Sequence, residues 1–190
     1  MIKYYKTNEV EQGTPLWHSL REGLLTGTNA YDIILNKSYE HIITSKKNNN
    51  FTGNYYTRRG HTLENEAREL YSEVYNKIVE YGFITNSEHP KCGYSPDGII
   101  ENENGEKLGL WECKAFNKER HLKVYKSLDS HVLAQIQFGL YLTGLPWCDL
   151  TLYNPDMDDI NDTFLVRRIT PIPQTFQKFD AYLKNLEKSS

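Results

Sequence analysis

The sequence predicts one α/β domain, more narrowly α+β, in which a central mixed sheet is flanked by helices. Three observations lead there. Amphipathic stretches of helical period alternate with short extended runs. The tract Asn102-Glu103-Asn104-Gly105 supplies a turn that folds two of those runs into a hairpin. The chain has 190 residues, 38% of them hydrophobic, which suits a single core and places residues 1–190 in one domain.

Taken in order, Pro15 through Glu22 predict a short helix with Pro15 in its first turn and Leu16, Trp17 and Leu20 as apolar contacts; Gly23 breaks it. Thr28 or Asn29 then caps a second helix carrying Tyr31, Ile33, Ile34 and Leu35. Residues 44–59 are polar and poor in periodicity, which predicts a loop. The clearest helical signal runs from Gly60 to Tyr81. There Leu63, Ala67, Leu70, Val74 and Ile78 recur at helical spacing and predict one buried stripe, stopped by Gly82. Extended segments follow at 83–87, 92–101 and 107–115. A helix over 129–143 turns Val132, Leu133, Ile136 and Leu140 inward and stops at Gly144 and Pro146. Strands at 147–153 and 163–169 precede a closing helix built on Ile172, Phe176, Phe179, Leu183 and Leu186.

Composition narrows the function classes. No apolar run approaches the roughly 20 residues of a membrane-spanning helix, and Met1 through Lys6 lack a signal core. The expectation is a soluble, cytoplasmic protein with no membrane partner. A net charge of -3 and a pI near 6.1 do not announce a nucleic-acid binder, yet a carboxylate-built site lowers the pI while a local basic strip still grips phosphate. Cys92, Cys113 and Cys148 contain no Cys-x-x-Cys pair, and the six histidines show no zinc spacing. Buried, reduced thiols are the reading. Trp111 and Trp147 read as core packing rather than base-stacking platforms.

Four polar features carry chemistry. Glu64 lies early in the long helix, next to Leu63. Ser95-Pro96-Asp97-Gly98 leads into the hairpin. Glu112 and Lys114 sit two apart on its second strand and so share a face. Gln135 and Gln137 interrupt an otherwise apolar helix. Asp97 and Glu112 on neighbouring strands make hard oxygen ligands suited to Mg²⁺, and the Cys113 carbonyl between Glu112 and Lys114 adds a third. Lys114 beside the ion is suited to orient water or neutralise charge growing on a phosphate oxygen, and Glu64 completes the first metal shell or holds a second ion. Each piece alone has a plain structural explanation: Pro-Asp-Gly as a turn, Glu64 as a solvated or capping acid. Their order is the specific signal.

That order resembles the PD-(D/E)XK nuclease superfamily and its restriction-endonuclease-like core, and within it the lambda-exonuclease or YqaJ-type viral recombinase group. The resemblance rests on Trp17 through Gly23, Gly60 through Ala67, Ser95 through Gly98, Leu110 through Lys114, Ala134 through Gln137, and Tyr153 through Asp156. It implies a Mg²⁺-dependent exonuclease, with Mn²⁺ substituting, that degrades one strand of duplex DNA from its 5′ end. The 3′ overhangs left behind would serve annealing-type recombination. It further implies Asp97 and Glu112 as metal ligands, Lys114 as the water's assistant, Glu64 as the helical acid near the metal, and Gln135 as the glutamine completing the site. Arg21, Thr28 and Ser95 match a pocket for the terminal 5′-phosphate. Such a pocket makes physical sense, because a phosphate welcomes a guanidinium fork and hydroxyls; Thr28 stands where the family often has Ser. Duplex DNA ends are the implied partner, together with a single-strand annealing protein and a trimeric ring of like subunits.

Lys46-Lys47, Arg58-Arg59, Lys118, Arg120, Lys123 and Lys126 are candidates to line a DNA groove, with segments 44–59 and 116–128 as duplex contacts. Two other readings remain open: a structure- or site-specific endonuclease on the same fold, and a DNA-binding module that has lost chemistry. The Arg21 pocket favours ends over internal sites, and intact Asp97, Glu112 and Lys114 argue against lost chemistry.

Overall fold

The computed structural model describes residues 1–48 and 55–188. Its strands are β1 (Ile2–Lys6), β2 (Lys77–Val79), β3 (Tyr81–Asn86), β4 (Gly93–Tyr94), β5 (Gly98–Glu101), β6 (Lys107–Lys114), β7 (Cys148–Tyr153) and β8 (Phe164–Ile169). The helices are α1 (Pro15–Leu20), α2 (Ala30–Ile34), α3 (Tyr39–Asn48), α4 (Tyr55–Val74), α5 (Lys118–Lys126), α6 (Ser130–Thr143) and α7 (Pro173–Lys188), with a 3₁₀ turn at Gly27–Asn29.

A five-stranded sheet in the order β2-β5-β6-β7-β8 forms the centre. Only β6 and β7 run parallel, from Leu110 beside Cys148 to Lys114 beside Leu152; the chain makes that connection through α5 and α6. The predicted hairpin is present as the antiparallel β5–β6 pair, with Gly98 opposite Trp111. A smaller antiparallel sheet, β1-β3-β4, stands beside it. The sheet is covered on both faces. On one, Ile99, Leu110, Leu150 and Leu152 pack with Ile136, Phe138, Leu140 and Phe179. On the other, Ile100, Trp111, Cys113 and Tyr153 pack with Leu63, Ala67 and Tyr71. All three cysteines are buried free thiols. Trp111 is fully buried and its indole N–H donates to Thr151. Trp147 is part-buried beneath the Arg168 guanidinium, 3.6 Å from its ring. No described helix is long and apolar enough to cross a membrane.

Several boundaries differ from the sequence expectation, for identifiable reasons. The long helix ends at Val74, and Ile78 belongs to β2, paired with Ile100. Its buried stripe is Leu63, Ala67 and Tyr71, while Leu70 is 38% and Val74 70% exposed. Aliphatic spacing pointed to the adjacent ridge; the Tyr71 ring faces the sheet instead, and its hydroxyl donates to buried Asp149 at 2.6 Å. Gly82 does not stop the helix but lies in β3, where a Cβ would sit 1.5 Å from the Val10 carbonyl oxygen. Residues 44–59 are not a loop throughout: α3 reaches Asn48 and α4 starts at Tyr55, and residues 49–54 lie outside the described residues. Leu16 on α1 is exposed rather than an apolar contact. Asn29 does stand at the N-cap of α2, but its side chain turns back instead of capping that helix: Asn29 Oδ1 accepts from the Thr26 amide and hydroxyl, both at 3.0 Å. Strands β1 and β2 and helix α5 were not visible in the pattern. The 129–143 helix stands as α6, capped by Asp129 and ended by Gly144 at φ 66°.

Candidate active site

Strand alternation places Glu112 on the α6 side of β6, completely buried, and brings Lys114 beside it. The Lys114 ammonium donates to Glu112 Oε2 at 2.9 Å and lies 3.7 Å from Asp97 Oδ2. Asp97 immediately precedes β5, and its Oδ2 also accepts the Cys113 backbone N–H at 2.9 Å, which fixes the carboxylate against the next strand. Gln135, on α6, directs its amide at Glu112 Oε1 and Oε2 at 3.4 and 3.2 Å. Glu64 on α4 faces this group and is held by Arg68 one turn on, at 2.8 Å. Glu64, Asp97, Glu112, Lys114 and Gln135, each singled out in the sequence for chemistry, therefore meet in one cluster. Gln137 does not join them; it is buried on the other side of α6, donating to the Thr170 carbonyl and accepting from the Ile172 amide.

Charge in this cluster is under tension. Burial, then the nearby Asp97, push the Glu64 carboxyl up to about 8. The same two causes in the same order push Glu112 up to about 7. Burial works against the Lys114 charge, but Glu112 and Asp97 outweigh it and hold the ammonium well above the ordinary lysine value. Among the described residues, no three His, Cys, Asp or Glu side chains are already gathered as a metal cage. The Lys114 ammonium bridges Asp97 and Glu112 instead.

A second cluster adjoins the first. The Arg21 guanidinium stacks on the Trp17 ring at 4.1 Å and donates to Ser95 Oγ at 2.8 Å and Thr26 Oγ1 at 3.5 Å. The Trp17 indole also donates to Ser95 Oγ, at 2.9 Å. The Thr26 hydroxyl is 3.1 Å from that of Thr28, so Thr28 joins the group through Thr26 and leaves its own side exposed. Burial alone pushes Arg21 down to about 10, and no carboxylate among the described residues offsets it. Behind it, the Lys46 ammonium caps the Arg21 and Leu24 carbonyls at 2.8 and 2.9 Å, and burial followed by Arg21 pushes it down to about 8. Two partly desolvated cations close together are chemically suited to receive an anion.

Sequence reasoning missed Arg68, Thr26, Trp17 as the stacking plate, and Tyr94, whose buried hydroxyl donates to Glu112 Oε1. Arg68 alone carried a signal, standing four residues after Glu64. The groove candidates are partly neutralised. Arg59 pairs with Asp156, Lys118 with Asp158 and Arg120 with Asp129. Lys123 and Lys126 are exposed on α5. Side chains of Lys47 and Arg58 lie outside the described residues.

The family model of the YqaJ-like viral recombinase domain matches residues 16–146. The chain belongs to this family. As a YqaJ-like domain it shares its fold with the crystal structure of an alkaline exonuclease from Laribacter hongkongensis, LHK-Exo. That match has a TM-score of 0.73 and 24% identity, and covers 93% of this chain and 94% of that one. A second LHK-Exo structure, in complex with dAMP, matches equally. A phage related exonuclease from Haemophilus somnus 129PT matches at TM-score 0.52 and 14% identity, covering 90% of this chain and 99% of that one. No curated protein matches the sequence. The YqaJ-like core thus contains both clusters, which stand two residues apart at Ser95 and Asp97.

Proposed function

We propose that this YqaJ-like protein is a Mg²⁺-dependent exonuclease that degrades one strand of double-stranded DNA from its 5′ end, leaving 3′ overhangs for annealing-type recombination. The observation that carries the reading is the adjacency of an acid–lysine cluster to the desolvated Arg21 guanidinium and its hydroxyl partners, joined through Ser95-Pro96-Asp97. The exonucleases whose fold it shares, and the recombinase family it belongs to, support the same class of activity.

The donor set fits a hard divalent ion. Asp97, Glu112 and Glu64 offer carboxylate oxygens and the Cys113 carbonyl lies on the strand between Glu112 and Lys114, a set of hard oxygen donors suited to such an ion. When bound, Mg²⁺ or Mn²⁺ supplies Lewis-acid activation of water and phosphate. The chain's own residues do the rest. Arg21, Ser95 and Thr28 hold the terminal phosphate and so set which phosphodiester lies over Asp97 and Glu112. Lys114 carries a permanent charge to the oxygen on which negative charge grows. Gln135 and Arg68 fix the orientation of Glu112 and Glu64.

The test is digestion of three substrates with Mg²⁺ or with EDTA: linear duplex bearing 5′-phosphate, the same duplex bearing 5′-hydroxyl, and a covalently closed circle. The reading expects Mg²⁺-dependent loss of linear duplex, fastest with the phosphate, and an intact circle. Cutting of circles at a rate comparable to linear duplex would establish the endonuclease instead. Binding of ends without cleavage would establish a module that has lost chemistry.

A further inference from the structure

Tyr94 touches both clusters. Its ring is 1% exposed, in a slot that two glycines leave open. A Cβ on Gly27 would lie 2.8 Å from Tyr94 Cε2 and 3.1 Å from Gln135 Cγ, and a Cβ on Gly139 would lie 2.5 Å from Tyr94 Cζ. Gly27 belongs to the 3₁₀ turn that also presents Thr28, while Gly139 follows Gln135 by one turn of α6. At its far end the ring delivers its hydroxyl to Glu112 Oε1. Its chain neighbour is Ser95, which receives both Arg21 and Trp17.

From this geometry we infer that Tyr94 is a positioning residue linking the end-anchoring turn to the Glu112 carboxylate. The inference rests on the metal-dependent reading above. Glu112 accepts from Tyr94 at Oε1 and from Lys114 at Oε2, with Gln135 spanning the two. Tyr94 is the donor whose direction is set by packing against Gly27, because a fully enclosed ring moves only when its walls move. A shift of the Gly27–Asn29 turn therefore displaces the hydroxyl and with it the carboxylate. A tyrosine placed only to fill the core predicts altered stability and nothing more.

The test is calorimetric titration of Mn²⁺ alone into wild type, Tyr94→Phe and Gly27→Ala, beside single-turnover rates on 5′-phosphorylated and 5′-hydroxyl duplex. Outer partners of metal ligands typically set affinity by about 10- to 100-fold. Tyr94→Phe keeps the ring and is expected to weaken Mn²⁺ by about that factor and to lower kcat, with KM for the phosphorylated end and the preference for phosphate unchanged. Gly27→Ala pushes on the ring without removing the hydroxyl; it is expected to weaken Mn²⁺ as well, although it lies in the anchoring turn. It also decides the case should Tyr94→Phe lose its cooperative unfolding transition. Mn²⁺ affinity within about twofold of wild type in Tyr94→Phe would overturn the inference, and so would a Gly27→Ala effect confined to end preference. Wild type that binds no Mn²⁺ would overturn the parent reading and this one with it.

Discussion

Removing Arg21 separates an end-anchoring role from a general grip on DNA, and the structure gives the size of the effect. Its guanidinium is pre-aligned by stacking at 4.1 Å on Trp17, with separate nitrogens directed at Ser95 and Thr26. Little side-chain freedom is left to lose when a phosphate arrives. Hydrogen bonds to charged groups contribute about 1.5–3 kcal/mol each. Two of them at the low end give about 3 kcal/mol, or roughly 150-fold at about 1.36 kcal/mol per tenfold. Arg21→Ala should therefore lower kcat/KM about 150-fold on a 5′-phosphorylated end and only slightly on a 5′-hydroxyl end, collapsing the preference between them. Arg21→Lys should recover only part, because one ammonium cannot serve the Ser95 and Thr26 directions together. The assay is single-turnover digestion of the two duplexes at several salt concentrations. Equal losses on both ends, shrinking as salt rises, would show that Arg21 contacts the DNA backbone generally and would refute the pocket.

Asp97→Ala and Glu112→Ala should each reduce cleavage below about a tenth of the wild-type rate while keeping the native far-UV spectrum, since each removes a hard ligand; faster cutting would remove them from the metal site. Lys114→Ala should lose about 100- to 1000-fold in kcat, the scale of a preorganised charge donor, with binding of DNA ends measured by fluorescence anisotropy largely retained. Equal loss of binding and rate would make it a phosphate anchor. His121 is fully buried, its Nε2 2.8 Å from the Asp162 carbonyl and its Nδ1 without a partner among the described residues, and burial holds its pKa below the ordinary histidine value. The unfolded chain thus takes up the proton first, so this residue's contribution is complete above about pH 6.5 and is lost on acidification. Urea midpoints at about pH 7.5 and 5.5 should show the wild type weakening more than His121→Gln; a parallel change in both would refute it.

The site was more legible than the scaffold around it. Glu112 and Lys114 share a face because β6 alternates, and the turn at 102–105 folds β5 against β6 so that Asp97, just ahead of β5, comes beside them; local pattern sufficed to bring three of the charged groups together. Tyr71 and Tyr94 carry no signal of their own because a tyrosine reads as polar or apolar only once its hydroxyl partner is known, and for Tyr71 that partner, Asp149, lies 78 residues along the chain. β1 and β2 were lost for a related reason. Each is short, and each exists through pairing with a distant strand, Ile2 with Asn86 and Lys77 with Glu101. Thr26 was hidden behind Thr28: both carry hydroxyls, and only the folded turn shows that Arg21 reaches the first and the first reaches the second.

The most direct test of the central claim follows the two ends of each strand separately. A linear duplex with distinguishable labels at the 5′ and 3′ termini is digested with Mg²⁺, and the released label is timed against the surviving strand length. The account predicts that the 5′ label leaves first, that each 3′-terminated strand persists as a growing single-stranded overhang, and that EDTA stops the reaction. Release of the 3′ label first, or internal fragments carrying neither label at early times, would contradict it.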